Sequence, residues 1–198
     1  ETMRVAVSKG ISRDKTVFIP NGVDAEKFNE IYDKTMLSDI IGQDIGNRKF
    51  ILSSGRLVRR KGAAWFVSNV MPKLPEHISY IVAGDGPEKK AVFEEISKQK
   101  LNNRVIVLGR VSDAVRNTLL HVCDLFVQPN IRVEGDMEGF GISVIEAGAC
   151  GLPVLASRLE GLRDAVCDHE NGILADPENA DEFSEIIQDI LSDSDKQK

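Results

Sequence analysis

The 198-residue chain has no apolar run near the roughly 18 residues that a membrane-spanning helix needs, so no span is expected in it. No secretory leader is expected from its opening residues. Cysteine is scarce: Cys123, Cys150 and Cys167 make an odd count and no Cys-x-x-Cys pair. That argues against a disulfide framework or a cysteine zinc site, and fits a reducing, cytoplasmic setting. The three histidines, His77, His121 and His169, share no ligand spacing and read as surface or internally satisfied side chains. Positive charge is not in excess, with 25 Lys and Arg against 31 Asp and Glu, a net charge of −6. A general nucleic-acid binder would carry a basic face, so that class is set aside; a local basic pocket for phosphate remains open. There is no internal repeat and no low-complexity segment.

What is present is core-forming material: 42 % of residues are hydrophobic, enough for one domain or one and a half. Short apolar runs over Lys49–Ser54, Ile78–Ala83, Arg104–Leu108, Leu125–Gln128, Pro153–Ala156 and Gly172–Ala175 read as strands. Helices are expected near 36–41, 63–71, 87–100, 113–121, 142–150, from Leu162, and over 179–191. Alternating strands and helices, with glycines after several strand ends, predict an α/β fold with a doubly wound parallel sheet, Rossmann-like. Residues 1–15 read as a helix end and linker, with Gly10 as the stop. Val17 to Pro20 reads as a further short strand, 16–191 as the domain, and 192–198 as a polar tail. The chain opens on Glu1-Thr2-Met3 and is expected to be a piece of a longer protein.

Four stretches can carry chemistry. The organising one runs from Glu138 to Pro153: an acid, then Gly139-Phe140-Gly141, then Ile142, Ile145 and Ala149 at helical spacing with a second acid, Glu146, among them. Side chains are missing where backbone amides can approach a ligand closely, and a helix start favours an anion or an electron-rich oxygen. Glu146, in the first turns, can accept from sugar hydroxyls; the plainer reading is a glycine loop and an amphipathic helix with one solvated glutamate. The second stretch is Gly55-Arg56-Leu57-Val58-Arg59-Arg60-Lys61-Gly62. Arg56 offers a planar fork for phosphate oxygens and Lys61 a point charge, while Arg59 and Arg60 add charge nearby or face solvent. Gly84-Asp85-Gly86-Pro87 lacks the third glycine of a dinucleotide fingerprint and alone reads as a turn before a helix, capped at Asp85 or Gly86. Gly109-Arg110-Val111 closes another strand. Trp65 and Phe66 read as core, and Asp193-Ser194-Asp195 matches a metal pattern but sits in the polar tail.

Glu, seven residues, Glu around Gly-Phe-Gly resembles the signature of retaining GT-B glycosyltransferases of the family 4 type (group 1). Ile-Pro-Asn-Gly-Val-Asp with Phe28, then Gly-Arg-Leu with Lys-Gly, then Gly-Asp-Gly-Pro precede it in the family's order, so the resemblance spans nearly the whole chain. The resemblance implies the C-terminal, donor-binding half of a GT-B fold, inactive alone, with the N-terminal half and the acceptor site elsewhere. It further implies that Arg56 and Lys61 neutralise the leaving nucleoside diphosphate. Val111 would pack by the base with Arg110 near the nucleotide, and Glu146 would accept from the ribose. Gly139, Phe140, Gly141 and Ile142 would line the donor sugar and phosphates, with Glu138 as the catalytic acid at the sugar. The implied partner is a UDP-, GDP- or ADP-linked sugar, with no metal or other cofactor needed for binding and membrane attachment left to the missing half. Two departures stand out: Pro129-Asn130 replaces Pro-Ser, and Glu160-Gly161 with Asp164 replaces a Gly-Gly-x-x-Glu stretch. A sugar-nucleotide epimerase, or a module that binds nucleotide sugar without chemistry, remains an alternative; a phosphorylase would need a cofactor lysine in another context.

Overall fold

The computed structural model of the protein describes residues 2–17, 19–24 and 32–192. Phe18, Phe28 and the Asp193-Ser194-Asp195 tripeptide lie outside the described residues. Six strands form one sheet: β1 (Lys49–Ser54), β2 (Ile78–Ala83), β3 (Val105–Gly109), β4 (Leu125–Gln128), β5 (Val154–Ser157) and β6 (Ile173–Ala175). Their order across the sheet is β3-β2-β1-β4-β5-β6 and every pairing is parallel. All carboxyl ends therefore share one edge. The helices are α1 (Thr2–Ser8), α2 (Met36–Ile41), α3 (Ala63–Asn69), α4 (Lys89–Lys98), α5 (Asp113–Val122), α6 (Ile142–Ala149), α7 (Leu162–Ala165) and α8 (Ala180–Ser192).

Each strand sends alternate side chains to opposite faces, so two apolar layers form. Ile51, Tyr80, Val82, Leu125 and Val127 meet Phe66 of α3, Val92 of α4 and Phe183 of α8 on one face. Phe50, Leu52, Ile81 and Phe126 meet Leu37 of α2, Leu119 of α5, Val144 of α6 and Leu162 of α7 on the other. Strands covered on both faces read as continuous apolar runs, which is why they were visible as such. Trp65 packs edge-on against Phe183 with ring centroids 5.6 Å apart, and Phe66 is fully buried, so both are core.

Two expectations are corrected. Val17, Ile19 and Pro20 belong to no strand; Val17 and Ile19 are 81 % and 80 % exposed. An apolar run becomes a strand only against a partner edge, and the sheet's outer strands β3 and β6 take no such partner. The helix after Gly84-Asp85-Gly86-Pro87 is capped at Glu88, because the Asp85 carboxylate is held elsewhere, by the Gly86 N–H at 2.8 Å and Lys89 Nζ at 3.0 Å. Helix α6 buries Val144 and Ala147, while Ile142 is 45 % exposed. Among the described residues no helix is long and apolar enough to cross a membrane.

Candidate functional site

Where strand order reverses, at β1 and β4, the connections leave for opposite faces and a crevice opens beyond the carboxyl ends. Two loops flank it, 55–62 after β1 and 129–141 after β4. They interlock through backbone. The Ile131 N–H donates to the Arg60 carbonyl at 2.9 Å. Gly62, at φ +69°, passes so close to the other loop that a Cβ would lie 1.8 Å from the Pro129 carbonyl oxygen. The loop after β2 supports the same wall: the Leu57 N–H donates to the Asp85 carbonyl at 2.9 Å and the Glu88 N–H to the Leu57 carbonyl at 3.1 Å. A Cβ on Gly84 would sit 1.8 Å from the Gly55 carbonyl oxygen, so Gly-Asp-Gly-Pro is a backbone seat for the basic loop.

Glu138, carried by the loop after β4, faces Lys61 of the loop after β1 and is 8 % exposed. Four donors converge on its Oε2: Lys61 Nζ at 2.6 Å, Arg60 Nη1 at 2.8 Å, Asn130 Nδ2 at 3.3 Å and Gln128 Nε2 at 3.4 Å. Its Oε1 accepts from no group among the described residues. Burial pushes the Glu138 carboxyl up, but the charge and hydrogen bond of Lys61, then Arg60 and Asn130, outweigh it and hold the group below its ordinary value. Lys61 is brought below its ordinary value chiefly by burial, with Arg60 adding repulsion and Glu138 opposing both. Gln128 is oriented from α6, where the Ser143 hydroxyl donates to its Oε1 at 2.6 Å. The Glu138 N–H donates to the Glu160 carboxylate, and Arg60 Nε donates to Asp136 Oδ1 at 2.9 Å.

The other expected residues spread along the same edge. Arg56 is exposed, lines a small hollow with Lys61, Gln128 and Pro129, and has no carboxylate partner among the described residues. Gly139 and Phe140 border a second hollow with Met3, Val17 and Ile19, and Gly141, at φ +81°, is the N-cap of α6. Glu146 does not touch Arg56 or Lys61. Its carboxylate faces Arg116 of α5, with Nη2 to Oε1 at 3.3 Å and Nη1 to Oε2 at 3.4 Å, in a hollow shared with Asp113, Asn117 and Ile142. Arg110 is exposed and Val111 half-buried, at the end of β3 that leads into α5 and so toward Glu146. The structure thus joins Lys61 to Glu138 directly and reaches Glu146 through α6. No three His, Cys, Asp or Glu side chains among the described residues converge as a metal-ligand set.

Reading the residues in line missed Arg60, Gln128, Glu160 and Arg116. Arg60 was open to a solvent-facing reading; its side chain is only 21 % exposed and it bridges Asp136 and Glu138. The usable signal was in the two departures, since Asn130 and Glu160 both end on Glu138. Asp164, expected to stand for the second, is exposed.

The chain has relatives among known proteins. The chain is 32 % identical over 148 residues to a 2-deoxystreptamine N-acetyl-D-glucosaminyltransferase of Niallia circulans, covering 73 % of this chain and 36 % of that protein. It is 29 % identical over 188 residues to an N,N'-diacetylbacillosaminyl-diphospho-undecaprenol alpha-1,3-N-acetylgalactosaminyltransferase of Campylobacter jejuni, covering 93 % and 47 %. The chain therefore spans about a third to a half of the length of these relatives. Among solved structures, Anabaena HepE in complex with UDP-glucose superposes with a TM-score of 0.86 at 26 % identity, covering 99 % of this chain and 53 % of that one. The sheet and its helices thus match GT-B glycosyltransferase structures. The profile described as Glycosyl transferases group 1 matches residues 40–198, from α2 through both acids to the end. With the profile covering most of the chain and the curated relatives agreeing with it, the protein belongs to the glycosyl transferases of group 1.

Proposed function

We propose that this chain is the donor-binding domain of a retaining glycosyltransferase, which holds a sugar by its nucleoside diphosphate and presents it to an acceptor bound by another domain. The observation that carries this reading is the 2.6 Å contact between Lys61 and Glu138 in a crevice at the strand-order reversal, with Arg56, which has no carboxylate partner among the described residues, on the same lip. Arg56 and Lys61 meet the two phosphates. As the bond between the anomeric carbon and the β-phosphate oxygen breaks, the electron pair goes to the diphosphate, and the two cations stabilise that charge, Lys61 reaching it from its place beside Glu138. Each charge-assisted bond contributes about 1.5–3 kcal/mol. Glu138 turns Oε1 to the sugar, holding a hydroxyl or countering positive charge at the anomeric carbon. Phe140 to Ile142 lie along the sugar and phosphates, Glu146 accepts from the ribose, and Arg110 and Val111 flank the base. Retention by a covalent intermediate or by same-face substitution uses the same leaving-group neutralisation. HepE, solved with UDP-glucose, makes a uridine nucleotide the first to test.

Alone, the domain binds the nucleotide and transfers little or no sugar. Titration calorimetry with UDP, GDP and ADP checks this. Binding of one, weakened at least tenfold by Lys61→Met, is the expected result; no heat from any of the three at millimolar ligand overturns it.

A further inference from the structure

We propose that Arg60 is a positioning residue of this site. It is the standing partner of Glu138, keeping that carboxylate ionised and in place when a diphosphate draws Lys61 away.

The reasoning starts from one oxygen. Lys61 and Arg60 both bond Glu138 Oε2, at 2.6 and 2.8 Å. If the donor-site reading above holds, Lys61 has two anions to serve. A diphosphate carries more charge than a carboxylate, and Lys61 has a long flexible stem and a point charge that can swing to it. That movement alone would strip a buried carboxylate of its shortest contact. Burial would then favour the protonated acid, which is a poor partner for developing positive charge.

Arg60 is built to prevent this. Its guanidinium is a rigid fork, and a second arm of the fork is anchored: Nε donates to Asp136 Oδ1 at 2.9 Å while Nη1 donates to Glu138. The two loops are also tied by the Ile131 N–H on the Arg60 carbonyl. Arg60 is therefore fixed at three points to the loop that carries Glu138. Among the described residues the Lys61 ammonium pairs with Glu138 alone. The charged groups that bear on Glu138 are Lys61 and Arg60 from the loop after β1, Asp136 through Arg60, and Glu160, which takes the Glu138 N–H. Gln128 and Asn130 add neutral donors. Removing Lys61 thus leaves one cation against Glu138; removing both leaves two carboxylates and two amides, a setting that favours protonation.

The test is the pH titration of the Glu138 carboxyl, read by carbon-13 NMR on the whole chain and its variants. In the wild type and in Lys61→Met the midpoint stays below the ordinary 4.5. In Lys61→Met combined with Arg60→Met it rises above 4.5. Lys61→Met combined with Arg60→Lys keeps it low, which assigns the effect to charge even if the double-methionine variant is poorly folded. With saturating UDP, Arg60→Met alone moves to the high midpoint and the wild type does not. An equally high midpoint in Lys61→Met with Arg60 intact overturns the proposal, as does a low midpoint in the double-methionine variant. The variants without nucleotide decide the matter by themselves, so failure of UDP to bind counts against the donor site and not against Arg60.

Discussion

Replacing Gly62 with alanine should force apart the two loops that make the crevice. Gly62 sits at φ +69°, and its added Cβ would lie 1.8 Å from the Pro129 carbonyl oxygen, where ordinary contact begins near 3.4 Å. The left-handed backbone costs a residue with a side chain about 1–2 kcal/mol. Backbone on the far side must then retreat by more than 1 Å, and overpacking of that kind costs about 1–3 kcal/mol. Together that is about 2–5 kcal/mol, or roughly 4–20 °C in melting temperature for a chain of this length. Gly42 supplies the control within the same molecule. It has nearly the same φ, +70°, but nothing within 4 Å of its Cβ position, so Gly42→Ala pays only the backbone cost, about 1–2 kcal/mol. Thermal and urea denaturation by circular dichroism compares the two. The expected result is a larger loss for Gly62→Ala, with a Lys61–Glu138 contact weakened enough to raise the Glu138 titration midpoint. Equal losses for both variants would refute the interlock.

Stability should also follow Glu138 with pH. A carboxyl held below its ordinary value in the folded chain stabilises above its unfolded value, near 4.5, and that contribution is lost as pH falls through the folded value. Glu138→Gln should therefore be about 1.5–3 kcal/mol less stable than wild type at pH 7, with the gap closing as the pH falls through the folded value below 4.5; a pH-independent gap in urea melts would sink the argument. Glu146→Gln should weaken a nucleoside diphosphate more than its 2'-deoxy counterpart in calorimetry, because only the former offers the full ribose; equal weakening would remove Glu146 from the ribose. Among the thiols, Cys167 is exposed, Cys123 is buried, and burial beside Glu146 pushes Cys150 up to about 11. An aromatic disulfide reagent at pH 8 should titrate one thiol quickly and two slowly, and three fast thiols would contradict the packing.

The sheet was legible because its strands are buried on both faces, and each of the six apolar runs falls within a residue of a strand. Helix α6 shows the limit. Its segment is apolar almost all round, so Ile142, Ile145 and Ala149 fit helical spacing as well as the buried Val144 and Ala147 do. Only the layer beneath it decides the face. The run at Val17 looked like a strand for the same reason the others did, but strand formation depends on a partner edge that local sequence does not announce. The basic loop shows the matching limit at the site. Arg59, Arg60 and Lys61 are adjacent cations, alike in line. The short 3₁₀ turn they form leaves Arg59 exposed and turns Arg60 toward Asp136, 76 residues away. Glu138 and Lys61 stand out in line because their motifs are local. The residues that hold them in register, Asn130, Glu160 and Arg60, meet only in three dimensions.

The most direct test is a crystal structure of the chain with a bound nucleoside diphosphate. The account predicts phosphate oxygens within hydrogen-bonding distance of both Arg56 and Lys61, the ribose hydroxyls on Glu146, and Glu138 still held by Arg60. A nucleotide seated away from the crevice between β1 and β4, with the Lys61–Glu138 contact unbroken beside it, would contradict the account.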